Sequence, residues 1–148
     1  MALAAPTPSV RVVEVAPRDG LQNVKQRIPT ATKVEFISKL TAAGLQTVEV
    51  TSVVSPRAVP QLADCEAVLS DKKIQMLLQN PQTRAPVLVP NLKGLDVAMR
   101  HGVKDVAVFV SASEGFSRAN IRCSVQEGLD NSREVAEKAL SHGVAVRG

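Results

Sequence analysis

The sequence has 148 residues, enough for one ordinary domain, and 45% of them are hydrophobic, enough for a sizeable core. Its formal net charge of +4 comes from 18 basic and 14 acidic residues, and it has three Phe and no Trp or Tyr. That composition offers no stacking platform for single-stranded nucleic acid, and no apolar run is long enough to span a membrane.

The opening residues 1–9 read as a flexible lead, without the arginines of a mitochondrial presequence or the apolar core of a secretory signal. Val10, Val12, Val13 and Val15 are β-branched and predict a buried first strand over residues 10–15. Pro17 and Gly20 stop that strand, with Arg18 and Asp19 between them. Glu14 lies in mid-strand, where a carboxylate is costly unless a partner such as Arg18 is aimed at it. After Pro29, Thr32 and Glu35 are spaced as a capping box and predict a helix start. Val34, Ile37, Leu40 and Thr41 follow at helical spacing, and Gly44 is a natural stop.

A second strand covers residues 47–51. Val48 and Val50 should face the helices, which sends Glu49 to the other side, the position Glu14 holds in the first strand. Two such carboxylates near Arg18 form either a buried structural network or a charge-tuned site. Residues 52–60 are a loop rich in Ser and Pro, and residues 60–70 read as a second helix. Ile74, Met76, Leu77 and Leu78 extend helical character until Asn80-Pro81 marks a turn. Residues 86–89 make a third strand, and Asn91 is an N-cap for a helix ending at His101-Gly102. Val106 to Val110, within a fourth strand over 103–110, is a continuous apolar run suited to a parallel strand covered on both faces. Residues 111–122 read as a polar loop. Ser124 and Glu127 form a capping box for a helix through Leu140, and residues 144–148 begin a fifth strand.

Strand and helix thus alternate four times before part of a fifth strand, an α/β pattern matching the N-terminal half of a TIM (β/α)8 barrel. A complete barrel typically uses about 250 residues, so residues 10–148 are expected to be an incomplete barrel domain. In such folds ligands bind at the C-terminal ends of the strands, where Arg18 and Asp19 fall. The same residues also fit a surface turn with a salt bridge, since Asp-Gly is an ordinary turn signal. Cys65 and Cys123 show neither metal spacing nor a disulfide framework and fit reduced thiols. His101 and His142 each precede a Gly at a helix end, where a His is usually a helix-dipole or solvent residue.

Pro17-Arg18-Asp19-Gly20-Leu21-Gln22-Asn23 resembles the strand-1 motif of the 3-hydroxy-3-methylglutaryl-CoA lyase family, within the metal-dependent TIM-barrel lyases and condensing synthases (pyruvate carboxyltransferase-like). The likeness continues through Glu49-Val50-Thr51-Ser52, Ser55-Pro56, Pro90-Asn91-Leu92-Lys93-Gly94, Ser111-Ala112-Ser113-Glu114 and Asn120-Ile121-Arg122-Cys123-Ser124. The resemblance implies cleavage of 3-hydroxy-3-methylglutaryl-CoA into acetyl-CoA and acetoacetate, a step in leucine breakdown and ketone-body formation. It implies Arg18 and Glu49 as catalytic groups, with Arg18 on the enolate oxygen and Glu49 holding Arg18. Asp19 would ligate a divalent metal, Mg²⁺ or Mn²⁺. Arg18, Gln22, Ser52 and Asn120 would lie around the substrate, with Lys25 toward the acyl-CoA side.

The resemblance also implies a homodimer for the full-length family. The compartment it implies is the mitochondrial matrix in a eukaryote and the cytoplasm otherwise. The family completes its site with a His-x-His pair, an Asn and a Cys from later strands and loops, which have no counterpart here; Cys123 matches a different family Cys. The reading is therefore a fragment inactive alone and prone to self-association. Two alternatives stand beside it: a related synthase condensing acetyl-CoA with a 2-oxo acid, which shares Arg-Asp-Gly, and a non-catalytic short product that binds a partner half.

Overall fold

The computed structural model describes residues 10–148; the lead expected over residues 1–9 lies outside them. Four short parallel strands, β1 (Thr51–Ser52), β2 (Val87–Leu88), β3 (Asp105–Ala107) and β4 (Ala145–Arg147), pair in the order β1-β2-β3-β4. The register aligns Ser52, Leu88, Ala107 and Arg147 in one row. Glu14 adds a further row by one parallel bridge to Val48: its N–H donates to Thr47 O at 3.0 Å, and its carbonyl accepts from Glu49 N–H at 2.8 Å.

Six α-helices connect these rows: α1 (Thr30–Ala42), α2 (Cys65–Ser70), α3 (Lys72–Gln79), α4 (Leu92–Arg100), α5 (Glu114–Ile121) and α6 (Val125–Ser141). The core lies where helices meet the valine face of the sheet. Val34 and Ile37 of α1, Leu95 and Ala98 of α4, and Val135 and Ala139 of α6 pack in one cluster with Val48, Val50, Val87, Val89 and Val106. Each fully buried Val, Leu or Ile side chain contributes roughly 1.5–3 kcal/mol, so this face holds the unit together. Gly44, Gly102 and Gly143, the expected helix stops, all take positive φ after their helices. Asn91 caps α4 through Gly94 N–H at 3.0 Å, and Ser124 with Glu127 closes the expected capping box on α6.

Several elements differ from the sequence reading. Val10 and Val12 are 92% and 71% exposed, so the first strand is not buried. Its pairing is confined to Glu14, and among the described residues no strand lines its other edge, which leaves those valines one wall at most. Helix α1 begins at Thr30 after Pro29, with no side-chain cap. Pro29 O accepts from the N–H groups of Thr32 and Lys33, and Glu35 pairs with Lys39 instead of capping. The single helix expected over residues 60–70 divides into a 3₁₀ turn, Pro60–Leu62, and α2, because Asp64 turns its carboxylate to Lys33 and Thr30. Strand β3 stops at Ala107, leaving Phe109 and Val110 partly exposed beyond it. The polar loop over 111–122 contains α5, capped by Ser113 and ended by Arg122 at φ 58°.

Candidate active site at the strand ends

Immediately after Glu14 the chain makes one π-helical turn, Ala16–Gly20. Val15 O accepts from Arg18 N–H at 3.1 Å and from Asp19 N–H at 2.7 Å, while Pro17 is buried under the turn. Glu14 Oε1 accepts from Ala16 N–H at 2.7 Å. The partner expected for Glu14 was Arg18; the structure gives it the turn's own backbone, because the tight reversal brings that amide back over the strand.

Arg18 faces Glu49. Its Nε donates to Glu49 Oε1, and one terminal nitrogen donates to Asp19 Oδ1 at 2.7 Å. Glu49 is fully buried between Val48 and Val50, on the face opposite the helices. Its second oxygen, Oε2, accepts from Arg147 of β4. Asp19, Arg18, Glu49 and Arg147 therefore form a line of alternating charge. Charge-assisted bonds of this kind are the means by which a buried carboxylate stays tolerable. The guanidinium of Arg18 is only 16% exposed and held at two points, whereas Asp19 and Arg147 reach solvent.

Arg147 was not among the expected site residues. Its pairing with Glu49 spans three strand steps of about 4.8 Å each, and side chains standing off a flat sheet would not meet. The sheet must curve toward this face, as in a barrel. An available signal was the Val-x-Val alternation before Arg147, which sets a cation at a strand end as Val48 and Val50 set Glu49.

The structure brings Arg18, Asp19 and Glu49 together. Ser52 is fully buried, and its hydroxyl donates to Leu88 O at 3.0 Å. Gln22 is half-buried just past the turn, Lys25 is exposed on the segment that follows, and Asn120 is exposed on α5. Among the described residues these last three make no side-chain hydrogen bond or ion pair to the charged line. His101 ends α4 beside Glu66 and Ser70, and His142 ends α6, so neither joins the site. Cys65 is buried, which pushes its thiol up, and both cysteines are free.

A curved parallel sheet with helices packed on its outer face and charged groups at its strand ends defines the class: an α/β chain covering the N-terminal half of a TIM barrel. The HMGL-like family model matches residues 9–148, and the chain belongs to that family. It is 51% identical over 139 residues to the mitochondrial hydroxymethylglutaryl-CoA lyase of Arabidopsis thaliana, covering 94% of this chain and 29% of that protein. The crystal structure of hydroxymethylglutaryl-CoA lyase from Pseudomonas aeruginosa superposes with a TM-score of 0.84 at 48% identity, over 94% of this chain and 45% of that one. An HMG-CoA lyase from Acinetobacter baumannii in complex with coenzyme A and 3-methylmalate matches with a TM-score of 0.81 at 31% identity, over 92% of this chain and 43% of that one. The chain thus spans less than half the length of these proteins.

Proposed function

We propose that this chain supplies the arginine side of a lyase site that cleaves 3-hydroxy-3-methylglutaryl-CoA into acetyl-CoA and acetoacetate. In that reaction the tertiary hydroxyl loses its proton and becomes the ketone of acetoacetate. The C2–C3 bond breaks, and its electron pair moves onto the thioester, giving an enolate that is then protonated at carbon. Negative charge builds on the thioester oxygen, so a cation fixed there lowers the barrier. The observation that carries the reading is the hold on Arg18: Glu49 and Asp19 fix its guanidinium at two points at the strand ends, and Glu49 is held in turn by Arg147. Gln22, Ser52 and Asn120 are assigned to the substrate and Lys25 to the acyl-CoA phosphates, in line with the family resemblance. The full-length protein is read as a homodimer, in the mitochondrial matrix of a eukaryote or the cytoplasm otherwise.

A divalent metal, Mg²⁺ or Mn²⁺, is implied by the family, but the described residues do not themselves form a centre for one. Among the described residues no group of three or more His, Cys, Asp or Glu side chains could hold an ion. Asp19 offers one carboxylate, already shared with Arg18, whereas Mg²⁺ takes near-octahedral oxygen coordination. Asp19 is assigned as one donor, with the others from outside these residues, and no step is routed through the ion.

The test is acetoacetate release from the CoA substrate by a protein carrying the whole barrel. Arg18→Gln is expected to lower turnover about 100- to 1,000-fold, as loss of one transition-state donor does, with little change in thermal stability. Turnover within a few-fold of wild type would rule the role out.

A further inference from the structure

Residues 24–28 follow the Arg18 turn and contain no helix or strand. Such a segment would normally move freely, since its backbone groups have no ladder to join. One side chain supplies the missing partners. Gln61, in the 3₁₀ turn Pro60–Leu62, is 7% exposed and directs its whole amide at this segment. Its Oε1 accepts from Ile28 N–H at 3.0 Å, and its Nε2 donates to Val24 O at 2.9 Å and to Gln26 O at 2.8 Å. Both donors and one acceptor lone pair are thereby used.

Gln61 is itself anchored. Its backbone carbonyl accepts from Lys33 Nζ, a cation with 3% exposure, and Lys33 also donates to Asp64 Oδ1 at 2.6 Å. Asp64 Oδ2 accepts from Thr30 Oγ1 at 2.7 Å. The turn that carries Gln61 is thus tied to the first turn of α1 by a largely buried network in which both charges are paired, the kind that specifies one arrangement.

We propose that Gln61 is a positioning residue: it fixes residues 24–28 in one shape and presents Lys25 and Arg27 outward as paired cations for the phosphates of a coenzyme A thioester. The backbone groups of residues 24, 26 and 28 turn in to Gln61, and the side chains of residues 23–27 are exposed, Lys25 and Arg27 being the two cations among them. The naming of the ligand rests on the lyase reading above; the fastening of the segment does not.

The test uses the 148-residue chain and two variants, read by amide hydrogen exchange and by titration with coenzyme A. In the wild-type chain Ile28 N–H is expected to exchange about 100-fold more slowly than in an unstructured peptide. Gln61→Met, which keeps the length and removes all three bonds, should abolish that protection while Val48 and Val50 amides stay protected and report an intact fold. Gln61→Glu keeps the acceptor for Ile28 but offers no donor to Val24 and Gln26, so Ile28 should stay protected.

Coenzyme A should shift the Lys25 and Arg27 amide resonances of the wild-type chain, and both variants should weaken that binding at least about fivefold through loss of two or three hydrogen bonds. Protection of Ile28 that survives Gln61→Met overturns the fastening. Coenzyme A binding equal in all three proteins, or absent from Lys25 and Arg27 in wild type, overturns the presentation of the cations. Loss of the lyase reading in the activity assay, with both of these readouts as expected, would leave the role of Gln61 standing.

Discussion

Glu49 has two oxygens and no access to water, so each oxygen needs its own donor, and Arg18 alone cannot serve both while turning toward a ligand. Arg147 takes the second oxygen, so Arg18 serves only the first and keeps a terminal nitrogen for Asp19. Asp19 sits at the other end of the line, half exposed, with Oδ1 on Arg18. If it also ligates the metal, Asp19→Asn in a protein with the whole barrel should raise the Mg²⁺ concentration for half-maximal activity at least about tenfold, the scale seen when a ligand set is disturbed. The thioester end of the substrate should bind nearly as before. Identical half-saturation in metal titrations of the two proteins would end the assignment. Arg18, Asp19 and Glu49 were legible in the sequence because a charged pair breaks a run of valines and a carboxylate interrupts the next run. Arg147 was not, because its partner lies 98 positions away and only the curvature of the sheet brings them together.

The elements that the sequence foretold are those with local causes. The Ser124–Glu127 box, the Asn91 cap and the three glycine stops each depend on a few neighbouring residues, and each is present. The Thr32–Glu35 spacing looked equally good, yet Pro29 starts α1 earlier and leaves Glu35 to Lys39. The sequence of α5 resembles a loop because its apolar residues are few and Gly115 lies inside it, and its Ser113 cap is a weak, 3.4 Å contact. Packing between elements is harder still to see in advance. Gly94, near the start of α4, sits against the end of β1: a Cβ there would lie 3.1 Å from Pro90 Cδ and 3.2 Å from Val53 O. A backbone oxygen cannot swing aside, so Gly94→Ala should destabilise by about 1–3 kcal/mol despite the better helix propensity of Ala. Urea denaturation of the two chains measures this, and equal midpoints would show that α4 can shift without cost.

Over the whole molecule the helix side of the sheet is closed and the other side is not. Val10, Val12, Phe109 and Val110 are exposed, and the sheet ends at β4 with its outer edge unpaired among the described residues. Open edges and apolar patches favour association. The 148 residues alone are expected to self-associate on gel filtration and to release no acetoacetate even at high Mg²⁺, with some activity returning on mixing with a piece that completes the barrel. Metal-dependent release by the purified chain itself would refute this.

Acid should weaken the unit at one identifiable place. Burial raises the Asp64 carboxyl, but the Lys33 and Thr30 hydrogen bonds and the Lys33 charge outweigh it and hold it below its ordinary value. A depressed carboxylate stabilises the fold above its unfolded pKa of about 3.9, and that stabilisation is lost as pH falls through the folded value. Denaturation midpoints of the wild-type chain should therefore drop below about pH 4 more steeply than those of Asp64→Asn; parallel curves would place the acid sensitivity elsewhere. The tie between Glu49 and Arg147 has a consequence in time as well as in space. The rows between them form from neighbouring segments, but this contact joins residues 98 positions apart, and such distant contacts are the slow ones in folding. A chain emerging during synthesis would have Arg18 and Glu49 in hand long before Arg147 arrives, so the site is the last part of this unit to become itself.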